Sequence, residues 1–210
     1  MWQSCIYGWW KNASVSDLIP ELDDGADPVG RASDGFSPLH FAAGTGTPAN
    51  IQVLLGAGAD ITARTENGGT ALHSAAVSGR TVNIQALLEA GADVMARDEY
   101  GKTPLLLSAL VSPSPENFRL LLDAGTDVMA RDNDGSTVLH HVGSLETLTV
   151  LLAAGADVMA RNKDGAIPIH RLSICCTPAV TQALIGAGAE LMARDKDGST
   201  PLHYAVGPCV

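Results

Sequence analysis

One beat runs through this 210-residue chain and limits its possible folds more than any other feature. AGAD stands at 57–60 and 90–93, AGTD at 124–127, AGAD again at 154–157 and AGAE at 187–190, with DGAD at 24–27 ahead of them. Successive copies therefore lie 33, 33, 34, 30 and 33 residues apart. A second string keeps the same time: SPLH at 37–40, TALH at 70–73, TPLL at 103–106, TVLH at 137–140, IPIH at 167–170 and TPLH at 200–203. Two independent motifs on one period mean a structural unit of about 33 residues, repeated and stacked.

The unit can be read from its chemistry. In GTPANIQVLLGAGAD, Ile51, Leu54 and Leu55 fall at i, i+3 and i+4, which lines one face of a helix with apolar side chains. In TPLHYAV, Pro201 stands where a helix starts without losing a hydrogen bond, and Thr200 before it can cap the free N–H groups. The Gly of each GAD ends the second helix. Each copy reads as turn, short helix, loop and longer helix. One copy alone cannot bury its own apolar stripe, so the copies must stack.

Each copy also carries an Arg six residues before the Thr or Ser position (Arg31, Arg64, Arg97, Arg131, Arg161, Arg194) and a Gly two before it (Gly35, Gly68, Gly101, Gly135, Gly165, Gly198). With these residues in place the chain resembles the ankyrin-repeat family, and the spelling GADVMARDEYGKTPL is similar to its bacterial type. The resemblance covers nearly the whole chain. It implies an all-α fold, an ankyrin-repeat solenoid of helix pairs joined by β-turn fingers.

The predicted organisation is a capping helix pair over 1–27, five repeats over 28–190 and a truncated last repeat over 191–210. The capping pair holds Trp2, Trp9 and Trp10, and Pro20 in its second helix predicts a start near Ser16 or a bend. The pair before AGAD 154–157 omits the usual loop between helices, whereas Pro113 and Pro115 lengthen the loop of the repeat before it. The last repeat stops after its first helix, at Gly207 and Pro208.

Composition excludes several function classes. The formal net charge is −10, which repels nucleic acid and anionic lipid. No apolar run approaches the ~20 residues of a membrane span, and MWQSCIYGWWKN has no basic stretch ahead of its apolar residues, so it reads as a cap and not a signal peptide. A cytoplasmic location is expected. Cys5, Cys175, Cys176 and Cys209 show no CxxC spacing and read as reduced thiols, although Cys176 and Cys209 share a register one repeat apart.

Five histidines, His40, His73, His140, His170 and His203, occupy one slot in separate repeats, too far apart for a shared metal ion. The resemblance implies that they hydrogen-bond to backbone near the turns. Asp34, Asp134, Asp164 and Asp197 sit beside turn glycines, where a carboxylate ordinarily braces the turn. The Arg ladder reads as a salt-bridge network with Asp98, Asp132 and Asp195. A Met ladder, Met95, Met129, Met159 and Met192, stands where the family usually has an Asn that ties neighbouring turns. The thioethers either pack in place of those bonds, the reading preferred here, or offer an adaptable apolar strip to a partner.

No catalytic constellation, cofactor motif or metal-ligand spacing is present in the sequence, so no enzyme activity, cofactor or small-molecule ligand is expected. The resemblance implies a protein-interaction module whose partner lies on the concave face of turn tips and first helices. The residues carried over to that face are Tyr100, Lys102, Asn133, Ser136, Lys163 and Lys196 at the turns, with Val77, Leu110 and Val111 on first helices. Tyr100 is the best single anchor. The alternative is a targeting segment of a larger effector or enzyme whose catalytic domain lies outside this chain.

Overall fold

A computed structural model describes residues 14–175 and 177–205 of the chain, with side chains at all of these except 173–175. Among the described residues the regular structure is entirely helical: eleven α-helices, one 3-10 helix and no strand. The chain divides into two compact units, 1–99 and 100–210.

In the first unit, α1 (Val15–Asp23) is followed by the pairs α2 (Pro38–Thr45) with α3 (Pro48–Gly56) and α4 (Ala71–Ser78) with α5 (Thr81–Glu89). First helices stack on first helices, α2 on α4, and second on second, α1 on α3 and α3 on α5. Of the stripe read from the sequence, Ile51 and Leu54 are fully buried and Leu55 is half-buried; Ile84 and Leu87 of the next repeat are fully buried as well, with Leu39, Leu72 and the alanines of α2 and α4. Alanine is what lets first helices approach so closely. Helix α1 begins at Val15, one residue before the predicted start, with Ser14 as its cap, and it runs through Pro20.

The second unit holds α6 (Pro104–Val111), α7 (Pro115–Asp123), the 3-10 helix η1 (Val138–His140), α8 (Leu145–Ala153), α9 (Pro168–Cys175), α10 (Pro178–Gly186) and α11 (Pro201–Ala205). Here α7 packs on α8, α8 on α10, η1 between α6 and α9, and α9 on α11. The 30-residue step has a physical result: only four residues separate His140 from Leu145, so the first helix of that repeat shrinks to one 3-10 turn before Ser144 caps α8.

Ten-residue fingers, such as 28–37 and 61–70, link one second helix to the next first helix. Each GAD aspartate aims its carboxylate at the N–H two residues on: Asp27 accepts from Val29, Asp60 from Thr62, Asp93 from Met95, Asp127 from Met129 and Asp157 from Met159, at 2.8–2.9 Å. The finger thus leaves the helix in a fixed direction. At each tip an N–H donates to the preceding tip: Glu66 to Asp34 O (3.0 Å), Glu99 to Asn67 O (2.9 Å), Asn133 to Tyr100 O (2.8 Å), Lys163 to Asp134 O (2.8 Å) and Lys196 to Asp164 O (2.8 Å). Gly35 shows why the tip needs glycine. Its φ is +79°, and a Cβ there would lie 2.6 Å from the Glu66 nitrogen.

Arg64, Arg131 and Arg161 brace these fingers through backbone carbonyls, where the sequence suggested carboxylate partners. Arg64 donates to Gly68 O (2.8 Å) and Arg97 O (2.7 Å), Arg131 to Gly135 O (2.7 Å) and Arg161 O (2.6 Å), and Arg161 to Gly165 O and Arg194 O. In each case one Nη1 atom, with its two hydrogens, donates to both carbonyls. Asp132 and Asp195 are occupied elsewhere: each accepts two N–H groups of its own finger, Asp134 and Ser136 in one case, Asp197 and Ser199 in the other, at 2.8–3.0 Å. These, with Asn162, brace their turns from two residues ahead of the positions named from the sequence, whereas Asp34 braces its own turn by accepting the Phe36 N–H at 3.3 Å.

Candidate partner-binding face

The surface to be weighed is made by the finger tips and first helices, held in place by a repeated cap. In TPLH the His Nδ1 accepts the backbone N–H of the residue that opens the helix: Ser37 to His40 (3.2 Å), Thr70 to His73 (3.1 Å), Thr137 to His140 (3.1 Å), Ile167 to His170 (3.2 Å) and Thr200 to His203 (3.1 Å). This is a capping box with His at the third helical position. An accepting Nδ1 leaves the proton on Nε2, which then donates to the next finger: His40 to Gly69 O (3.1 Å), His140 to Ala166 O (3.2 Å) and His170 to Ser199 O (3.2 Å). Burial is the main cause that pushes the His40 and His140 pKa values below the ordinary range.

Tyr100 stands at a finger tip with 53% of its surface exposed. Its carbonyl is held by the Asn133 N–H, and the Lys102 ammonium lies 5.3 Å from its ring centroid. Lys102 also approaches Asp132 Oδ2 at 3.9 Å, so its side chain is only 19% exposed. Asn133, Lys163 and Lys196 are exposed at their tips, and Leu110 and Val111 are exposed at the end of α6. Val77 is exposed on α4, in the first unit.

Ser136 departs from this pattern. It is 1% exposed, with its N–H bound to Asp132 Oδ1, so it supports the finger from beneath and presents no surface.

Two groups near this face were not anticipated. His141 follows the TPLH slot, where the missing helical residues bring it inward until its side chain is 5% exposed. Its Nε2 lies 3.5 Å from Asp132 Oδ2, its Nδ1 has no hydrogen-bond partner among the described residues, and burial, followed by the Arg171 charge, pushes its pKa down to about 4. Two repeats on, Tyr204 fills the same slot and donates to Asp195 Oδ2 at 2.7 Å, a bond that raises the phenol to about 12. In these two copies the slot after TPLH faces the finger carboxylate, through an imidazole in one and a phenol in the other.

The Met ladder lies mostly inside. Met95, Met129 and Met159 are half-buried, and the Met129 sulfur accepts the Asp157 N–H at 3.3 Å, taking over part of the tying role of the missing Asn. Met192 differs, with 75% of its surface exposed. Residues 1–13, with Cys5 and the three tryptophans, lie outside the described residues, as do Cys176, Cys209 and the side chain of Cys175.

The helix pairs, the finger-to-finger bonds and the His caps repeat together, and the sequence profile described as ankyrin repeats (3 copies) matches residues 11–98 and 39–132. The chain belongs to the ankyrin-repeat family. Among curated proteins its sequence finds no match. Ankyrin repeats are generally protein–protein interaction modules and typically non-catalytic. No helix among the described residues is long and apolar enough to cross a membrane.

Proposed function

We propose that this ankyrin-repeat chain is a non-enzymatic adaptor that binds a protein partner on the concave face formed by its finger tips and first helices. The observation that carries the reading is Tyr100. An aromatic ring half out in solvent is fixed at its backbone by the Asn133 N–H and flanked by the Lys102 ammonium. Such a ring loses little freedom on binding and covers a large apolar area. Leu110 and Val111 add exposed aliphatic surface in the same unit, and Val77 adds it in the first. Lys163, Lys196 and Asn133 supply polar tips that set which partner fits. Ser136 contributes only by holding its finger.

Affinity capture with the wild-type chain and with Tyr100→Ala tests the reading. A partner recovered by the first and lost, or weakened at least about tenfold, with the second is the expected result. Equal recovery by both removes Tyr100 from the interface.

A further inference from the structure

The first helices that follow the fingers hold no carboxylate. Their segments, 38–45, 71–78, 104–111, 138–140, 168–175 and 201–205, carry one formally charged residue, Arg171, in a chain whose net charge is −10. Arg171 is exposed on α9, and among the described residues no carboxylate lies within ion-pair distance of it. Asp132, the carboxylate beside His141, is already engaged: its side chain is 2% exposed, accepts the Asp134 and Ser136 N–H groups and lies 3.9 Å from the Lys102 ammonium.

Between α6 and α9 the surface drops. The residues that follow the TPLH slot form a row in this unit, Leu107, His141 and Arg171, and the middle member is sunk, with its side chain 5% exposed. Helices α6 and α9 each run eight residues and η1 only three, although η1 packs against both. In register with Leu110 and Val111 stand Ser144 and Leu145, which already cap and open α8. The C-terminal half of α6 therefore lacks a first-helix neighbour on that side, and Leu110 and Val111 are left 40% and 55% exposed. A Cβ added at Gly143 would meet no atom within 4 Å, so the space beyond η1 is open. Arg171 borders the far side, and its charge bears on the His141 imidazole more than any other.

We propose that this recess, walled by Leu110 and Val111 and bordered by Arg171, takes an extended acidic segment of the protein partner, with an aliphatic side chain against α6 and a carboxylate on the Arg171 guanidinium. The inference rests on the reading of the finger and first-helix side as the binding face, and adds to it the chemistry of the ligand. Two helix spacings of ~8–10 Å separate α6 from α9, a distance that about five or six extended residues span. A planar guanidinium takes a carboxylate through two parallel N–H bonds, and the aliphatic flank thins the water around the pair, which strengthens the attraction. No carboxylate on the first helices opposes such a ligand.

The probe is a synthetic peptide with blocked termini that carries Leu at one end and Glu at the other, with about five Gly and Ser residues between them. Two further peptides replace the Glu by Gln and by Lys. Each is titrated into the full chain carrying 13C-labelled Leu and Val methyl groups. The Leu110 and Val111 methyl resonances shift saturably with the Glu peptide, and the Gln peptide binds at least about fivefold more weakly. Arg171→Glu, at an exposed position, reverses the preference toward the Lys peptide. Equal affinity for the Glu and Gln peptides, an unchanged preference in Arg171→Glu, or no saturable shift up to about 5 mM peptide overturns the inference. The two readings fail separately. A partner lost with Tyr100→Ala but captured equally by Arg171→Glu keeps the binding face and removes the acidic segment. Glu-selective peptide binding together with equal capture by Tyr100→Ala upholds the recess and removes Tyr100 alone.

Discussion

At the residue scale, His141 is the group whose environment changes most with acid. It faces Asp132 on its own finger, Arg171 on α9 and His140 on its own turn, and burial holds its pKa at about 4. The folded state therefore binds fewer protons than the unfolded chain, whose histidine titrates near 6.5. Stability is full above that value and is lost as pH falls toward 4, by up to the order of 3 kcal/mol from this one side chain. His40 and His140, also lowered by burial, act in the same sense. Denaturant midpoints at pH 7.5, 6 and 4.5 should fall in that order, and His141→Phe should flatten the slope. An unchanged slope in that variant would rule out His141 as the source. Gly35 gives a second residue-scale test. Gly35→Ala meets both a left-handed backbone and the Glu66 nitrogen at 2.6 Å, so a loss of at least ~1–2 kcal/mol is expected in the same measurement.

At the scale of elements, the fingers are held by polar groups reaching from one repeat to the next. Arg131 bridges its own finger at Gly135 O and the next at Arg161 O, so Arg131→Ala should lower unfolding stability by about 1–2 kcal/mol. Arg131→Lys should recover part of the loss, because both bonds leave one nitrogen and an ammonium carries three donors on one nitrogen. Thermal unfolding of the three proteins side by side checks both statements. Helix positions were legible because the period of Ile51, Leu54 and Leu55 and the TPLH start are local signals. What escaped the sequence depended on which backbone group each polar side chain would meet. Asn83 is an example: wholly buried on α5, it donates to Ala42 O, Ala43 O and Gly46 O, contacts that exist only once α2 and α5 are side by side. The choice of Asp132 over Asp134 as turn brace, and of carbonyls over carboxylates for the arginines, is hidden from sequence for the same reason. The 30-residue step did announce a short pair, but not that its first helix would tighten to three residues and turn His141 inward.

At the scale of the whole molecule, two compact units built from one repeated plan present variable side chains on an invariant frame. The repeat, its all-helical class and its family could be read from two motifs because each copy restates them. The candidate face was legible only in part, since repetition tells which positions face outward on average and not which copy departs. Tyr100, Leu110, Val111 and Val77 stand exposed at their sequence-assigned positions, whereas Ser136 is folded under and Lys102 is drawn toward Asp132. The central claim is that partner recognition belongs to the finger and first-helix side. Val82 provides the comparison, an aliphatic residue 58% exposed on the second helix α5. The dissociation constant of the captured partner, measured by calorimetry for wild type, Tyr100→Ala and Val82→Asp, tests this most directly. The account predicts a loss of about tenfold or more for Tyr100→Ala and less than about twofold for Val82→Asp. The reverse order, with Val82→Asp abolishing binding and Tyr100→Ala sparing it, would contradict the account.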